Sequence, residues 1–451
     1  MPGFATKIEF AILEHRSLTH AVEELRQFGT SGGEFFRRGK VAAQEFARLA
    51  QRRLAATVQS ATQSQPGQDK NEVIVVGGSA AGLYTAAAVA SGGRSVRVLE
   101  SRPSLRLPPR TLIVTNHFRN QVGACANESI VNEIRRFELF TDGRSAVISL
   151  RKPDLIIERS RLISGLAREA QQAGVKFSFD TRFLGLSANG HALNVEAECA
   201  GRRVEWRAAS VVGADGASSR VARAAGWPAI ETVPLVQAIV RLPKDCRPDT
   251  TRVWFAPDDT PFFYWLIPES SESGALGVIG EDGRDTARCL ARFLERKGME
   301  PLEWQGARIP VYRRWIPVKR SIGRGQVYLV GDAAGQVKVS TVGGIVTGFR
   351  GARVVAKSLL GNDSTGELMA LRRELSTHWL LRRTMHYFEQ KHYSRLVDLL
   401  NAATRGTLSE VSRDESARLL WNVLRQQPQL VLLGLRGLLL GWNKKRHGGA
   451  L

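Results

Sequence analysis

Three segments of this 451-residue chain combine glycines with a carboxylate in a way that could bind a nucleotide cofactor. In the first, Val73 to Glu100, apolar β-formers lead into a glycine-rich turn, an alanine-rich helix and a second apolar strand that ends on an acid. This is the βαβ pattern of a dinucleotide-binding unit, in which the helix N-terminus faces a pyrophosphate and the acid accepts hydrogen bonds from ribose hydroxyls. The residues predicted to contact the cofactor are Gly77, Gly78, Ser79, Ala81, Gly82 and Glu100.

In the other two segments an apolar strand delivers an acid into a tight turn, and the last segment adds a glycine turn that opens a helix. A carboxylate at a strand end can bind the ribityl hydroxyls of a flavin, and amides at the positive end of a helix dipole can stabilise negative charge on its ring. Single Asp-Gly or Gly-Asp pairs mark turns in many proteins, but three such segments in this order are specific. The cofactor-binding residues predicted here are Asp215, Gly216, Gly331, Asp332, Gly343, Gly344 and Ile345.

An aromatic strand, PFFYWLIPE from Pro261 to Glu269, is the candidate for the substrate side. Alternation along a strand places Phe263, Trp265 and Ile267 on one face. That face could wall a long apolar tunnel that leads to the cofactor, or it could be the buried face of an ordinary antiparallel sheet. The tunnel interpretation makes these three residues substrate-binding.

The elements that must position these residues predict an α/β fold, a Rossmann-like dinucleotide domain interleaved with an antiparallel β-sheet domain, with helical extensions at both ends. The polar segment QSATQSQPGQDK separates the first helices from the rest of the chain. The predicted regions are a helical N-terminal appendage (1–58), a polar linker (59–70), a cofactor domain in two pieces (71–230 and 315–365, with part of the substrate region within 105–150), a β-sheet substrate domain (231–314) and a basic helical C-terminal region (366–451).

Composition limits the partners. The formal net charge is +21, which suits an anionic lipid surface or an acidic protein. Nucleic acid is not predicted, because no basic run is interleaved with stacking aromatics. Four scattered cysteines indicate a reducing compartment without structural zinc or disulfides. The predicted location is cytoplasmic, and the leucine-rich segment Gln429–His447 suits either a helix lying on the inner face of a membrane or a buried C-terminal helix.

The three motifs resemble those of the FAD-dependent oxidoreductases built on the p-hydroxybenzoate hydroxylase fold. Within that group, GDAAGQVKVSTVGGI is similar to the GDAAGQVKPTTGGGI segment of the geranylgeranyl reductase family. The resemblance implies an FAD enzyme that reduces C=C bonds of an isoprenoid lipid by hydride transfer, with NAD(P)H or a ferredoxin as electron donor. It also implies that Glu100 binds the adenosine ribose, Asp215 lies near the pyrophosphate and Asp332 holds the ribityl chain.

Two further site residues follow from the same resemblance. Arg159 matches an arginine that contacts the cofactor, although a surface or salt-bridged arginine fits as well. Cys125, in GACANES, matches a cysteine beside the flavin and is the candidate catalytic residue. The alternative is a small buried hydrophobe. The sequence offers no obvious acid to protonate an alkene.

Departures from the family pattern keep other chemistries open. Ser79 replaces a glycine of the first turn, Val339 a proline and Val342 a glycine. The aromatic strand also fits the WxWxIP pattern of flavin-dependent halogenases, so an FAD-dependent monooxygenase or halogenase acting on an apolar substrate is the alternative. A halogenase needs an active-site lysine, and the chain has none between Glu100 and Lys152. A lipid-bound protein without catalytic activity is a third interpretation. No metal site is predicted, because His378, His386 and His392 do not share a helix face.

Overall fold

The computed structural model of this chain describes residues 72–281 and 285–447. The predicted N-terminal appendage and the linker lie outside the described residues, as do residues 448–451 of the predicted C-terminal region. Helices and strands are numbered in chain order from Glu72 onward.

A six-stranded sheet carries the cofactor motifs, and its strands are parallel except at one edge. The inner strands are short, continuous apolar runs, as expected for a sheet covered on both faces. In spatial order the strands are β16 (Lys319–Ile322), β17 (Gly325–Leu329), β10 (Ser210–Gly213), β1 (Val73–Val76), β2 (Val96–Leu99) and β6 (Lys176–Ser178), with β16 antiparallel to β17.

Helices cover one face of this sheet and a smaller sheet covers the other. On the helical face, Val75 and Val98 pack with Ala86 and Val355. The opposite face packs Ile74 and its neighbours against an antiparallel three-stranded sheet. The covering elements are α1 (Ala80–Ser91), α4 (Arg159–Gln172) and α7 (Ile345–Leu359), and the strands β7 (Thr181–Asn189), β8 (Ala192–Cys199) and β9 (Arg202–Ala208).

A second large sheet has eight strands, and all its neighbouring pairs are antiparallel except β12 with β4. In spatial order they are β15 (Pro301–Pro310), β11 (Thr232–Arg241), β14 (Ser273–Ile279), β13 (Tyr264–Pro268), β12 (Thr250–Trp254), β4 (Ile130–Thr141), β5 (Arg144–Glu158) and β3 (Thr111–Val114). The chain therefore enters this sheet twice, first between Thr111 and Glu158 and again between Thr232 and Pro310. The predicted domain boundaries stay predictions.

Helices form the rest of the described chain. Short helices α2 (His117–Val122), α3 (Ala124–Ser129) and α5 (Arg220–Ala224) lie in the connections, and α6 (Thr286–Lys297) packs on the second sheet. The C-terminal region contains α8 (Thr365–Met385), α9 (Gln390–Asp398), α10 (Ala402–Glu410), α11 (Ser416–Gln426) and α12 (Gln429–His447).

The predicted fold class is confirmed. Within the described ranges, no helix has both the length and the hydrophobicity needed to cross a bilayer.

Candidate functional site

The turn after β1 is built so that only small residues fit. Gly77 has a φ of +102°, and a Cβ placed on it would lie 2.6 Å from the carbonyl oxygen of Ala214. A Cβ on Gly82 would lie 2.5 Å from the carbonyl oxygen of Gly77. Ser79 is the N-cap of α1, and its hydroxyl accepts a hydrogen bond from the Gly82 amide at 3.2 Å. The serine that replaces a family glycine therefore stabilises the helix that faces the pyrophosphate position.

Glu100 lies at the end of β2, where its carboxylate joins that strand to the glycine turn. Its side chain is buried, and Oε2 accepts a hydrogen bond from the Gly78 amide at 2.8 Å. Arg102 donates to Oε1 from Nε at 2.9 Å. Burial alone would raise the pKa of Glu100, but the hydrogen bonds from Arg102 and Gly78 outweigh burial and lower the pKa. The ionised Glu100 carboxylate thus lies where the adenosine ribose is expected, and it accepts a hydrogen bond from Arg102.

Asp332 is an exposed acid at the end of β17. It lies in a 3-10 helix (Gly331–Ala334) directly after β17. Enough protein surrounds the carboxylate for burial to raise its pKa, opposed by the nearby charge of Arg110. The exposed carboxylate is accessible to a ligand that lies against the end of β17.

Two arginines, of which Arg110 lies near enough to Asp332 to affect its pKa, have buried nitrogens without a protein partner. The Nε atoms of Arg110 and Arg159 are both buried and make no hydrogen bond. They are neighbours because β3 pairs with β5, which joins the Arg159 amide to the carbonyl of Arg110 at 3.0 Å. Burial lowers the pKa of both, and the charge of Arg159 lowers that of Arg110 further. Unsatisfied guanidinium donors suit a phosphate ligand. The sequence reasoning missed Arg110, because the pairing of two strands that are distant in the sequence creates this arrangement.

The carboxylate of Asp215 accepts hydrogen bonds from residues at the start of α5. Its carboxylate accepts hydrogen bonds from the Ser219 hydroxyl at 2.5 Å and from the amide of Arg220 at 2.7 Å. These bonds stabilise the start of α5. The structure shows this capping role, and the implied place beside the pyrophosphate stays a prediction.

The second glycine turn leads into α7. Gly344 is the N-cap of the helix without a side-chain capping bond, and Ile345 is the first helical residue. A Cβ on Gly344 would lie 3.4 Å from Oδ1 of Asp332, so the strand-end acid and this turn are adjacent. Val342, where the family has glycine, has a φ of +58°. This left-handed conformation is strained for a β-branched residue and agrees with the glycine of the family pattern.

An apolar cavity of about 330 Å³ begins at this turn. Gly343, Gly344 and Ile345 line it together with Phe263, Trp265 and Ile267 of the aromatic strand. The intervening Tyr264 and Leu266 point to the other face of the sheet, where Phe293 of α6 packs. The two segments that the sequence assigned to cofactor and substrate therefore share one cavity. Further apolar lining comes from Phe137, Leu139, Ile148, Leu150, Leu235 and Val253.

Cys125 is not among the residues that line this cavity. Its side chain is buried in a core cluster with Phe118 and Leu166, and a Cβ on Gly165 would lie 3.2 Å from its Sγ. Burial, together with the hydrogen bond and charge of Glu169, raises the pKa of the thiol to about 12. A thiol in this environment is not a nucleophile at neutral pH. The position favours the buried-hydrophobe interpretation, and a catalytic role stays an untested prediction.

Charged and polar residues at one end of the cavity were not found by sequence reasoning. Lys338 lines the cavity, and its ammonium forms an ion pair with the buried Asp414, which also accepts a hydrogen bond from Thr115. The absence of a lysine between Glu100 and Lys152 is therefore no argument against a lysine at this site. The partners of Lys338 come from elements that are distant in the sequence, so no local sequence pattern predicts them. Among the residues that the structure describes, no group of three metal-ligating side chains is placed to hold a metal.

The glycine turn, the acids at three strand ends and the unpaired guanidinium groups define a dinucleotide-binding flavoprotein. The chain belongs to the FAD binding domain family, whose model matches residues 70–362. FAD is its cofactor, and the protein is an FAD-dependent oxidoreductase. The residues fit this cofactor: the turn excludes larger side chains, the buried Nε atoms of Arg110 and Arg159 have no protein partner, and the Asp332 carboxylate is exposed.

Several known proteins are similar to this chain. A digeranylgeranylglycerophospholipid reductase of Methanothrix thermoacetophila is 28% identical over 66% of this chain and 79% of its own length. One from Methanocaldococcus jannaschii is 25% identical over 77% of this chain and 89% of its own. A geranylgeranyl bacteriochlorophyll reductase-like structure from Thermoplasma acidophilum has a TM-score of 0.67 at 20% identity, covering 81% of this chain and 98% of that one. The flavin-dependent brominase Bmp2 has a TM-score of 0.58 at 18% identity, covering 78% of this chain and 93% of that one, which shows a shared fold alone.

Proposed function

We propose that this protein reduces C=C bonds of a geranylgeranyl-type isoprenoid lipid. The observation that carries the proposal is the cavity in which the aromatic strand and the glycine turn of α7 meet. Its wall is mostly apolar, as a hydrocarbon chain requires, and its inner end lies beside Asp332, where the cofactor is expected. The names of the two archaeal relatives support an isoprenoid lipid as substrate.

The residues of this chain would hold the cofactor along the edge of the six-stranded sheet. Glu100 would bind the adenosine ribose, Arg110 and Arg159 the pyrophosphate, and Asp332 the ribityl chain. The amides of Gly343, Gly344 and Ile345, at the positive end of α7, would stabilise negative charge on the ring. When bound, reduced FAD supplies a hydride equivalent. The protein orients the alkene and excludes water, because the cavity wall at Phe263, Trp265 and Ile267 is apolar.

Oxygen-dependent chemistry is the second candidate, and Lys338 is the observation that favours it. This lysine lies in the cavity wall, as a halogenase requires, but its ammonium is paired with Asp414 and both side chains are buried. An ammonium held in a buried ion pair is poorly placed to handle an oxidised halide, so we favour the reductase.

The electron donor is proposed as NAD(P)H or an acidic carrier such as a ferredoxin. A net charge of +21 would favour the approach of an acidic protein. The chain has no second glycine-rich nucleotide motif, so NAD(P)H would have to bind transiently.

We also propose that α12 rests on an anionic membrane at the cytoplasmic face. Leu432, Leu435 and Leu439 are 61%, 51% and 62% exposed and repeat at helical spacing on one side of the helix. Arg436, also exposed, lies between them in sequence. Apolar side chains with adjacent arginines are typical of a helix in a membrane interface.

The position of α12 relative to the cavity supports this membrane contact. The buried side of α12 packs Leu433 with Phe388, in a cluster that also contains Met385 and Phe255. Met385 and Phe255 line the cavity as well. Helix α12 therefore shares an apolar cluster with two residues of the cavity wall, which supports entry of a lipid tail on this side of the cavity.

Anaerobic single-turnover oxidation tests the proposed reaction. The purified protein is reduced with dithionite, a geranylgeranyl lipid is added, and the flavin spectrum and the lipid mass are followed. We expect reoxidation together with a lipid that gains hydrogens in pairs. Flavin that stays reduced until air is admitted, with oxygen or halide then found in the product, would instead establish the oxygen-dependent alternative.

A matched pair on β5 tests the cavity in the same assay. Ile148 lines the cavity, whereas the adjacent Val147 is 41% exposed on the other face. We expect Ile148→Trp to fill the cavity and slow lipid-dependent reoxidation at least tenfold, while Val147→Trp has little effect. Equal rates in the two variants would show that the lipid does not occupy this cavity.

A further inference from the structure

Saturation of a C=C bond needs a proton as well as a hydride. An inference about the source of that proton rests on the proposed reductase function. Reduced FAD accounts for the hydride. The proton must come from an acid that reaches the cavity, and neither Lys338 in its ion pair nor the arginines of the wall is a suitable donor. The hydroxyl of Ser340, in the glycine-turn loop (residues 338–344), provides another route for the proton.

Ser340 lines the cavity three residues before Gly343. Its loop folds back on itself, because the Lys338 amide donates to the carbonyl of Gly343 at 3.1 Å. The Ser340 hydroxyl therefore lies beside the turn at which the flavin ring is expected. Its Oγ is 2.5 Å from Nδ1 of His378 on α8.

Behind Ser340, His378 is oriented by a carboxylate. Nε2 of His378 is 3.1 Å from Oε1 of Glu374, one helical turn earlier on α8. The backbone amide of Ser416 donates to both oxygens of Glu374 at 3.1 Å. His378 is 2% exposed and Glu374 6%, and neither is among the cavity-lining residues. The imidazole thus has access to the cavity through the Ser340 hydroxyl.

We propose that Ser340, His378 and Glu374 form a proton relay to the alkene, with Ser340 as the catalytic residue and the other two as positioning residues. The O–H bond of Ser340 breaks as a C–H bond forms on one alkene carbon. Oγ takes a replacement proton from Nδ1 of the His378 imidazolium, which becomes neutral. The hydride, an electron pair with its proton, adds to the other carbon from the reduced cofactor. Solvent reprotonates the imidazole after the product leaves.

Burial and the charges around His378 determine the pH range in which its imidazole is protonated. Glu374 faces it from its own helix, Lys338 from the glycine-turn loop and Asp414 from the loop before α11. Burial and Lys338 lower the pKa of His378, and they outweigh the two carboxylates. A lower pKa makes the imidazolium a stronger proton donor, but it also restricts the imidazolium to a pH below the ordinary histidine range. Reduction should therefore be fastest at acidic pH and slow as the pH rises through that pKa.

The variants Ser340→Ala, Ser340→Thr and His378→Gln in the full-length holoenzyme test the relay by anaerobic single turnover. General acid catalysis contributes about 10²–10⁴ in rate, so Ser340→Ala should slow lipid-dependent reoxidation at least a hundredfold. Ser340→Thr should recover most of that loss. His378→Gln should slow the reaction and abolish its decline with rising pH. Thr377→Val, next to His378 on α8, is the control and should behave like the wild type.

A second electron acceptor separates the relay from a merely structural role. Reoxidation of the reduced flavin by benzoquinone in free solution needs no proton delivery to an alkene, so it should keep its wild-type rate in Ser340→Ala. Equal slowing of both reactions, or loss of FAD, would show that Ser340 only ties the loop to α8 and would overturn the relay. If the wild type reduces the lipid and Ser340→Ala does so at the same rate, the relay is overturned but the proposed reductase function is not. A wild type inactive on every geranylgeranyl lipid would overturn both.

Discussion

At the scale of single residues, the cofactor site depends on polar groups whose partners are incomplete in the protein alone. Glu100 is satisfied by Arg102 and Gly78, whereas the Nε atoms of Arg110 and Arg159 are buried without a protein partner. The Asp332 carboxylate is exposed. Buried polar groups without partners cost free energy, so they indicate where a bound molecule completes the structure.

Removal of the Asp332 carboxylate should weaken FAD binding without unfolding the protein. A hydrogen bond to a charged group contributes about 1.5–3 kcal/mol, so we expect Asp332→Ala to bind FAD about 10- to 150-fold more weakly. Titration of the apoprotein by flavin fluorescence measures the change. Glu300→Ala, at an exposed acid in the loop before β15, serves as the control. Unchanged affinity in Asp332→Ala would mean that the ribityl chain binds elsewhere.

Substitution of Cys125 should leave the chemistry intact. Its thiol is buried and its pKa is about 12, so it holds its proton through the neutral range. We expect Cys125→Ala to reoxidise with lipid at the wild-type rate while unfolding at a slightly lower temperature, because the core loses contacts. A large loss of rate with a normal flavin spectrum would instead establish the catalytic role implied by the family resemblance.

At the scale of elements, one buried ion pair fastens the glycine-turn loop to the C-terminal helices. Lys338 follows the 3-10 helix after β17, and Asp414 lies between α10 and α11. Burial would raise the pKa of Asp414, but Lys338 and Thr115 outweigh burial and lower it. The pair thus connects the cavity wall to helices far away in sequence.

Breaking this pair should destabilise the protein in a pH-dependent way. Asp414→Asn leaves a buried ammonium unpaired, which costs about 3–5 kcal/mol at pH 7. Because the folded-state pKa of Asp414 is lowered, its contribution is present above the ordinary aspartate pKa and is lost as the pH falls below it. The difference between wild type and variant should therefore narrow below about pH 4. Urea unfolding at pH 7 and pH 3.5 measures this, and a constant difference would contradict it.

The exposed leucines of α12 should control membrane binding. We expect Leu432→Asp with Leu435→Asp to lower binding to vesicles that contain anionic lipid at least tenfold, because an apolar surface is replaced by charge. Leu302→Asp with Met369→Asp changes residues that are 57% and 54% exposed on β15 and α8, and it is the matched control. Equal loss in both double variants would indicate nonspecific electrostatic attraction rather than docking of α12.

At the scale of the whole molecule, the cofactor and the substrate cavity are built from segments that alternate along the chain. The first large sheet supplies the strand-end acids, and the second supplies the cavity wall. The connections between them carry Arg110 and Arg159, so each site needs both sheets.

The first 70 residues should be dispensable for cofactor binding. The polar linker 59–70 lacks apolar anchors, and the family match begins at residue 70. We expect a protein without residues 1–70 to retain FAD with the wild-type absorption spectrum. Loss of flavin on this truncation would show that residues 1–70 stabilise the cofactor domain.

The sequence by itself determined the cofactor edge, because each motif is local. A strand, its turn and the next helix lie within about 30 residues, so Gly77, Glu100 and Asp332 could be assigned from pattern alone. Alternation along β13 likewise assigned Phe263, Trp265 and Ile267 to one face. Only the tertiary structure decided what these faces meet: the shared cavity, the pairing that joins Arg110 to Arg159, the core position of Cys125 and the chain from Ser340 to Glu374. Ser340 and His378, for example, are 38 positions apart in the sequence. No local periodicity encodes such a contact between distant elements.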